Sequence, residues 1–113
     1  MKHYFKRTLS VSTPTLYKII SMENWHKSKN NDSLALEPID KEFIHLATQE
    51  QLPHILKKYW HQSKEVMIIK LDPLHLKGKL VFEKNPGGSV KYYHLYEGSI
   101  PKASIIHADV TLL

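Results

Sequence analysis

Residues 42–60 read Glu-Phe-Ile-His-Leu-Ala-Thr-Gln-Glu-Gln-Leu-Pro-His-Ile-Leu-Lys-Lys-Tyr-Trp, and a change of period inside this stretch decides the fold class. Phe43-Ile44-His45-Leu46-Ala47 is a short apolar run, β-branched at its second position, and reads as a strand. Thr48 and Gln51 then have the Thr-x-x-Gln spacing of a capping box, the signature of a helix start. Leu52, Ile55, Leu56, Tyr59 and Trp60 follow at i, i+3, i+4, i+7 and i+8, a single apolar stripe on a helix. Pro53 suits the first turn, where its missing N–H costs nothing, so the helix proper is expected to begin there. A strand handing over to a helix through a capped turn establishes a mixed fold.

Toward the N-terminus, Leu16-Tyr17-Lys18-Ile19-Ile20 reads as another strand. Ser21 is placed to cap a short helix carrying Met22, Trp25 and His26, and the polar run from Lys27 to Ser33 ends it. Residues 1–13 precede the first clear element and read as an extension, leaving 14–113 as a single domain. Toward the C-terminus, Glu65 to Leu71 is nearly continuous in apolar character, which suits a central strand. Asp72-Pro73 stops it. Lys79 to Lys84 and Val90 to Tyr96 read as two strands joined at the turn Asn85-Pro86-Gly87-Gly88. A last strand is expected around Ser104 to Thr111. Five or six strands with two early helices make an α+β fold with a mostly antiparallel sheet, not a doubly wound one.

Composition narrows the chemistry. The chain has 113 residues, 42% of them hydrophobic and 24% charged, as expected of one soluble domain. It contains no cysteine, which excludes disulfides, thiolate catalysis and thiolate zinc sites. The longest apolar run, Val66 to Ile69, is far short of the roughly 20 residues that span a bilayer, so no membrane partner is expected. The basic N-terminus has no apolar leader, and the reading is a cytoplasmic protein. A net charge of +5 raises the question of nucleic acid. The basic residues, however, are 15 lysines and one arginine, Arg7, and the lysines are spread along the chain. Lysine serves as a point charge and arginine as the bidentate reader of phosphates and bases, so specific nucleic-acid recognition is not expected.

Strand alternation sorts the polar residues by face. His45 shares a face with Phe43 and Ala47, opposite Ile44 and Leu46. His94 shares a face with Tyr92 and Tyr96, opposite Tyr93 and Leu95. Glu83 shares a face with Val81, opposite Leu80 and Phe82. Three ionisable residues thus sit inside apolar strands, where charge is costly unless paired, and such groups concentrate at functional sites. Against that stands the plainer reading, in which each histidine is a hydrogen-bonded structural residue and the tyrosines pack the sheet. Trp25 and Trp60 read as core. The other six histidines carry no pattern that lifts them above surface residues. No His-x-x-x-His pair or His-Glu-x-x-His motif occurs, and no metal site is expected.

Leu16-Tyr17-Lys18-Ile19 before a helix with Trp25, Glu42 to Thr48 with Gln51, and Glu83 with Pro86-Gly87-Gly88 and Tyr93 to Gly98 form a recognisable series. In order and spacing it resembles the domain of unknown function 952 family of small bacterial proteins, over about residues 15 to 111. The resemblance implies an ADP-ribosyltransferase-like fold: two small, mostly antiparallel sheets forming a cleft, with two helices in the N-terminal half. In active members of that wider group the cleft holds NAD. By that analogy His45, Glu83 and His94 are the candidate catalytic residues and Tyr17, Lys18, Thr48 and Tyr96 the candidate ligand contacts. Glu83 would hold ribose hydroxyls and stabilise an oxocarbenium-like transition state, and His45 or His94 would act as acid–base or phosphate contact. Lys18 stands where the transferase pattern carries a histidine and would meet a phosphate as a point charge.

Three functions stay open on these residues. One is a domain binding a small molecule or nucleotide, NAD or ADP-ribose in type, with an NAD-using enzyme as its active form. Another is a non-enzymatic protein-interaction module with structural histidines. The third is a weak, lysine-driven nucleic-acid binder. Substrate, partner and oligomeric state are not legible.

Overall fold

The most apolar strand organises one half of the molecule. In the computed structural model, which describes residues 13–113, Glu65–Leu71 (β3) lies between Leu16–Ser21 (β1) and Ile105–Leu112 (β6), antiparallel to both. The second sheet has the order β2-β5-β4, with Ile44–Leu46 (β2) and Lys77–Lys84 (β4) flanking Lys91–Ser99 (β5), again antiparallel throughout. Two helices complete the fold, Met22–Lys27 (α1) and Leu52–Tyr59 (α2). The fold is therefore α+β with two small antiparallel sheets. The reading of residues 1–13 as an extension lies outside the described residues, Thr13 excepted.

The sheets share one core. Leu16, Ile20, Met67, Ile69 and Leu71 from the first sheet meet Ile44, Leu46 and Leu95 from the second, with Leu34, Leu76 and Ile100 closing the gap. Met22 and Trp25 of α1 pack against this cluster. Alternation produces it: within each strand these residues stand an even number of positions apart and so share a face. A backbone bridge ties the sheets at one corner. Tyr17 N–H donates to Ala47 O at 2.8 Å, and Ala47 N–H donates to Tyr17 O at 3.0 Å. This explains one departure from the expected spans. The strand expected over Phe43 to Ala47 has only three residues in the ladder, because Ala47 leaves β5 and pairs with β1 instead.

Local chemistry sets the remaining boundaries. Ser21 Oγ accepts from Asn24 N–H at 3.1 Å and caps α1, while the Glu37 carboxylate accepts from Ser21 N–H at 3.0 Å and from Asn24 Nδ2 at 2.6 Å. The Thr48–Gln51 capping box closes a 3₁₀ turn over Gln49–Gln51, and α2 begins at Leu52, one residue before Pro53. At Asn85-Pro86-Gly87-Gly88, Gly88 N–H donates to Asn85 O at 2.8 Å and Gly87 has φ of 77°, the positive value that a type II turn asks of its third residue. Where β4 bulges between Lys77 and Lys79, Gly98 brings its backbone so close to β5's partner that a Cβ there would lie 1.8 Å from Lys77 O.

Candidate functional site

The register of β2 on β5 sets His45 directly opposite His94, and that of β4 on β5 sets Glu83 opposite Tyr92 and Lys79 opposite Tyr96. Directly opposite residues share a face. His45, His94, Glu83 and Tyr96 therefore occupy the face of the second sheet turned away from Ile44, Leu46 and Leu95. The two imidazoles stand edge to face with centroids 5.6 Å apart. Phe43 covers them, stacked on His94 at 3.9 Å and tilted toward His45 at 4.7 Å.

The two histidines differ in what surrounds them. His94 is wholly buried, and both ring nitrogens are engaged: Nδ1 lies 2.7 Å from Glu83 Oε2 and Nε2 lies 2.8 Å from the Asn85 side-chain amide. Tyr96 O–H donates to the same Glu83 oxygen. The Tyr96 hydroxyl, then the His94 ring, hold the Glu83 carboxyl below the ordinary carboxylate range, and the carboxylate in turn pushes the Tyr96 phenol up.

His45 belongs to a second network. Its Nδ1 lies 3.0 Å from Asp40 Oδ1, and its backbone N–H donates to the same oxygen at 3.0 Å. Lys18 Nζ donates to Asp40 Oδ1 and to His45 O, each at 2.9 Å. Glu37 N–H reaches Asp40 Oδ2 at 3.1 Å. Lys18 and Asp40 are both buried, at 3% and 6% exposure, so the pair is a desolvated ion pair. Burial alone would raise the Asp40 carboxyl, but the hydrogen bonds from His45 and the Lys18 charge outweigh it and hold the carboxyl at about 2. Burial pulls the Lys18 ammonium down, opposed by Asp40. With Asp40 ionised, His45 Nδ1 carries the proton and donates. Nε2 has no partner among the described residues.

His45 lies on the wall of a cleft of about 680 Å³. The cleft runs between β1, the turn at Pro38–Asp40, the end of α2 and the Asn85-Pro86 turn, with Tyr17, Ile19, Trp60 and Tyr92 on its sides. Of the expected site residues, Tyr17, Lys18 and His45 line it. Glu83, His94 and Tyr96 form the adjoining cluster, joined to the cleft through Asn85, which both lines it and bonds His94. Thr48 sits at the entry to α2, where its N–H donates to Gln51 Oε1 at 3.1 Å. Trp60, read as core, lines the cleft instead, and His61, read as a surface residue, lines it too. Among the described residues no three His, Asp or Glu side chains converge to hold a metal ion. No helix there is long and apolar enough to cross a membrane.

Three participants escape the sequence reading: Phe43 as the cover, Asp40 as the anchor of His45, and Asn85. A signal for Asp40 exists. Glu37-Pro38-Ile39-Asp40 has the spacing of a reciprocal cap, and the two carboxylates do close that turn on each other's backbone.

Comparison with solved structures finds protein CC0527 from Caulobacter crescentus, whose crystal structure superposes with a TM-score of 0.72 at 23% identity, covering 85% of this chain and 84% of that one. A double-methionine mutant of the same protein gives 0.73 at 21% identity, with the same coverage. These likenesses establish a shared fold. No curated protein matches the chain. The family described as protein of unknown function (DUF952) matches residues 19–108, most of the chain and all of the cleft's strands but the start of β1. The chain belongs to the DUF952 family of proteins of unknown function.

Proposed function

We propose that this domain binds a small molecule with a flat heteroaromatic ring, of the nucleotide class that includes NAD and ADP-ribose, in the cleft beside His45. The observation that carries this reading is His45 itself. Its Nδ1 is pinned by a buried carboxylate while Nε2 has no partner among the described residues, on a cleft wall. A cleft of about 680 Å³ falls within the roughly 300–1,000 Å³ usual for small-molecule sites. Trp60, Tyr59 and Tyr92 offer aromatic faces for a ring, and His45 Nε2 accepts a hydrogen bond from a ligand hydroxyl or amide. Lys18 is committed to Asp40, so a ligand's phosphates stay at the open side, in water. Two small sheets enclosing such a cleft agree with an ADP-ribosyltransferase-like arrangement. In it Glu83 keeps one oxygen in the His94–Tyr96 cluster and the other unengaged, and His94 acts by positioning Asn85 and Glu83.

A second reading has its own support. Among the described residues no buried side-chain nitrogen or oxygen lacks a hydrogen-bond partner, as in a module whose histidines are structural. An amide-shift NMR titration with nicotinamide, ADP-ribose and NAD, on wild type and on His45→Ala, separates the two. Saturable shifts at Tyr17, Trp60 and Asn85 that are lost in His45→Ala support the cleft. No saturable shift with any of the three would set the nucleotide reading aside in favour of the module.

A further inference from the structure

Among the described residues every sheet end is managed except one. On the β1 side, Tyr17 is bridged to Ala47. β2 offers only three residues. β4 carries the exposed Lys77, Lys79 and Lys84, the lysine guard that natural sheets place on an open edge. β6 has no such guard. It is eight residues long, it ends its sheet, and no backbone hydrogen bond among the described residues reaches its outer side. None of the 15 lysines lies beyond Lys102. Ile106, Val110 and Leu112 on this strand are exposed at 54%, 52% and 78%. A long, apolar, unguarded edge is a template for another strand.

The sequence of β6 also specifies its partner. We propose that two copies of this chain pair antiparallel through β6, with Ala108 facing its own copy on the twofold axis, giving a continuous six-stranded sheet. Opposite residues of an antiparallel pair share a face, so a symmetric pair must place some residue directly across from itself. Centring on His107 or on Asp109 sets like against like. Centring on Ala108 sets His107 across from the partner's Asp109, twice by symmetry, with the exposed Val110 beside this rung and Ile106 in the bulge where β6 shifts register against Lys70 and Leu71. His107 Nε2 already lies 2.9 Å from Asp109 Oδ2 within one strand, so both groups stand at the same face. The pair is self-complementary in its His107–Asp109 hydrogen bonding, and it needs no other molecule.

Sedimentation equilibrium on the full chain tests this. Wild type is expected to show a mass about twice the 13.2 kDa chain. Asp109→Lys removes two cross-strand pairs and is expected to weaken the dimer about tenfold, whereas the exchange His107→Asp with Asp109→His restores it. Val110→Lys installs the missing guard and is expected to give a folded monomer, checked by circular dichroism. A wild-type chain that stays monomeric to about 1 mM, or a dimer insensitive to both substitutions, would overturn the proposal. Protection in a monomer of the β6 amides that point away from β3 would also overturn it.

Discussion

Replacing Asp40 by Asn tests how the His45 network is held, and the structure sets the size of the effect. The Asp40 carboxylate accepts four kinds of donor: Lys18 Nζ, the His45 backbone N–H, the His45 ring and the Glu37 backbone N–H. The Asn amide keeps one acceptor and brings two donors into a site made of donors. It also strands the Lys18 ammonium, whose only other acceptor among the described residues is His45 O. Breaking a buried pair in this way costs about 3–5 kcal/mol, a large share of a total stability of about 5–15 kcal/mol. Lys18→Met is expected to cost less, about 1.5–3 kcal/mol, because Asp40 retains three N–H donors. Urea unfolding followed by circular dichroism at pH 7 measures both. A larger loss from Lys18→Met than from Asp40→Asn would refute the assignment of Asp40 as the hub.

The same network predicts a pH dependence with a definite sign. The Asp40 carboxyl titrates at about 2 in the fold against 3.8 in the unfolded chain. The unfolded chain therefore takes up the proton first as pH falls. The stabilisation is fully present above pH 4 and is lost as pH drops toward 2, and the gap corresponds to about 2.5 kcal/mol. Asp40→Asn should lack this portion of the acid slope. If variant and wild type lose stability in parallel between pH 4 and pH 2, Asp40 is not depressed and the argument fails.

Further outcomes follow from the neighbouring contacts. Glu83→Gln removes the carboxylate whose hydrogen bond, and then its charge, push the Tyr96 phenol up, so phenolate absorbance in an alkaline titration should show one tyrosine moving back toward 10.0; an unchanged titration would break the Tyr96–Glu83 assignment. Gly98→Ala places a methyl 1.8 Å from Lys77 O and should force β4 and β5 apart, at about 1–3 kcal/mol or more by thermal unfolding. Wild-type stability in that variant would mean the strands do not touch there. Phe43→Ala uncovers His94 and removes the 3.9 Å stack, and His94 ring protons should then show solvent exchange absent from wild type, at a stability cost of about 0.5–1.5 kcal/mol beyond the lost buried area.

What the sequence discloses here is whatever repeats along a strand. Period-two alternation puts His45 on the face of Phe43, His94 on the face of Tyr96 and Glu83 on the face of Val81, each within its own strand; that the three faces coincide comes from the ladder. Capping chemistry locates Ser21 and the Thr48–Gln51 box because each is settled within four residues. Asp40 and Asn85 escape because turns have no period. Their partners are distant or set by how two sheets meet: Lys18 lies 22 positions from Asp40. Yet Lys18 carried a usable signal. The alternation that sorted the histidines puts it on the face of Leu16 and Ile20, the core, and a lysine there demands a buried anion.

That same logic separates two histidines which the sequence presents as equals. Each sits mid-strand between apolar neighbours, and they face each other across one ladder rung. His94 has both nitrogens engaged and no exposed surface, so nothing reaches it unless Phe43 or Asn85 moves. His45 has one nitrogen pinned, the other unpartnered, and a side chain 30% exposed. A ring held on one side and open on the other is pre-oriented for a ligand, because its rotamer is already fixed before anything binds. Under the proposed reading a ligand therefore meets His45 rather than His94. The Glu83–His94–Tyr96 cluster contributes by keeping Asn85 and the cleft's second wall in place.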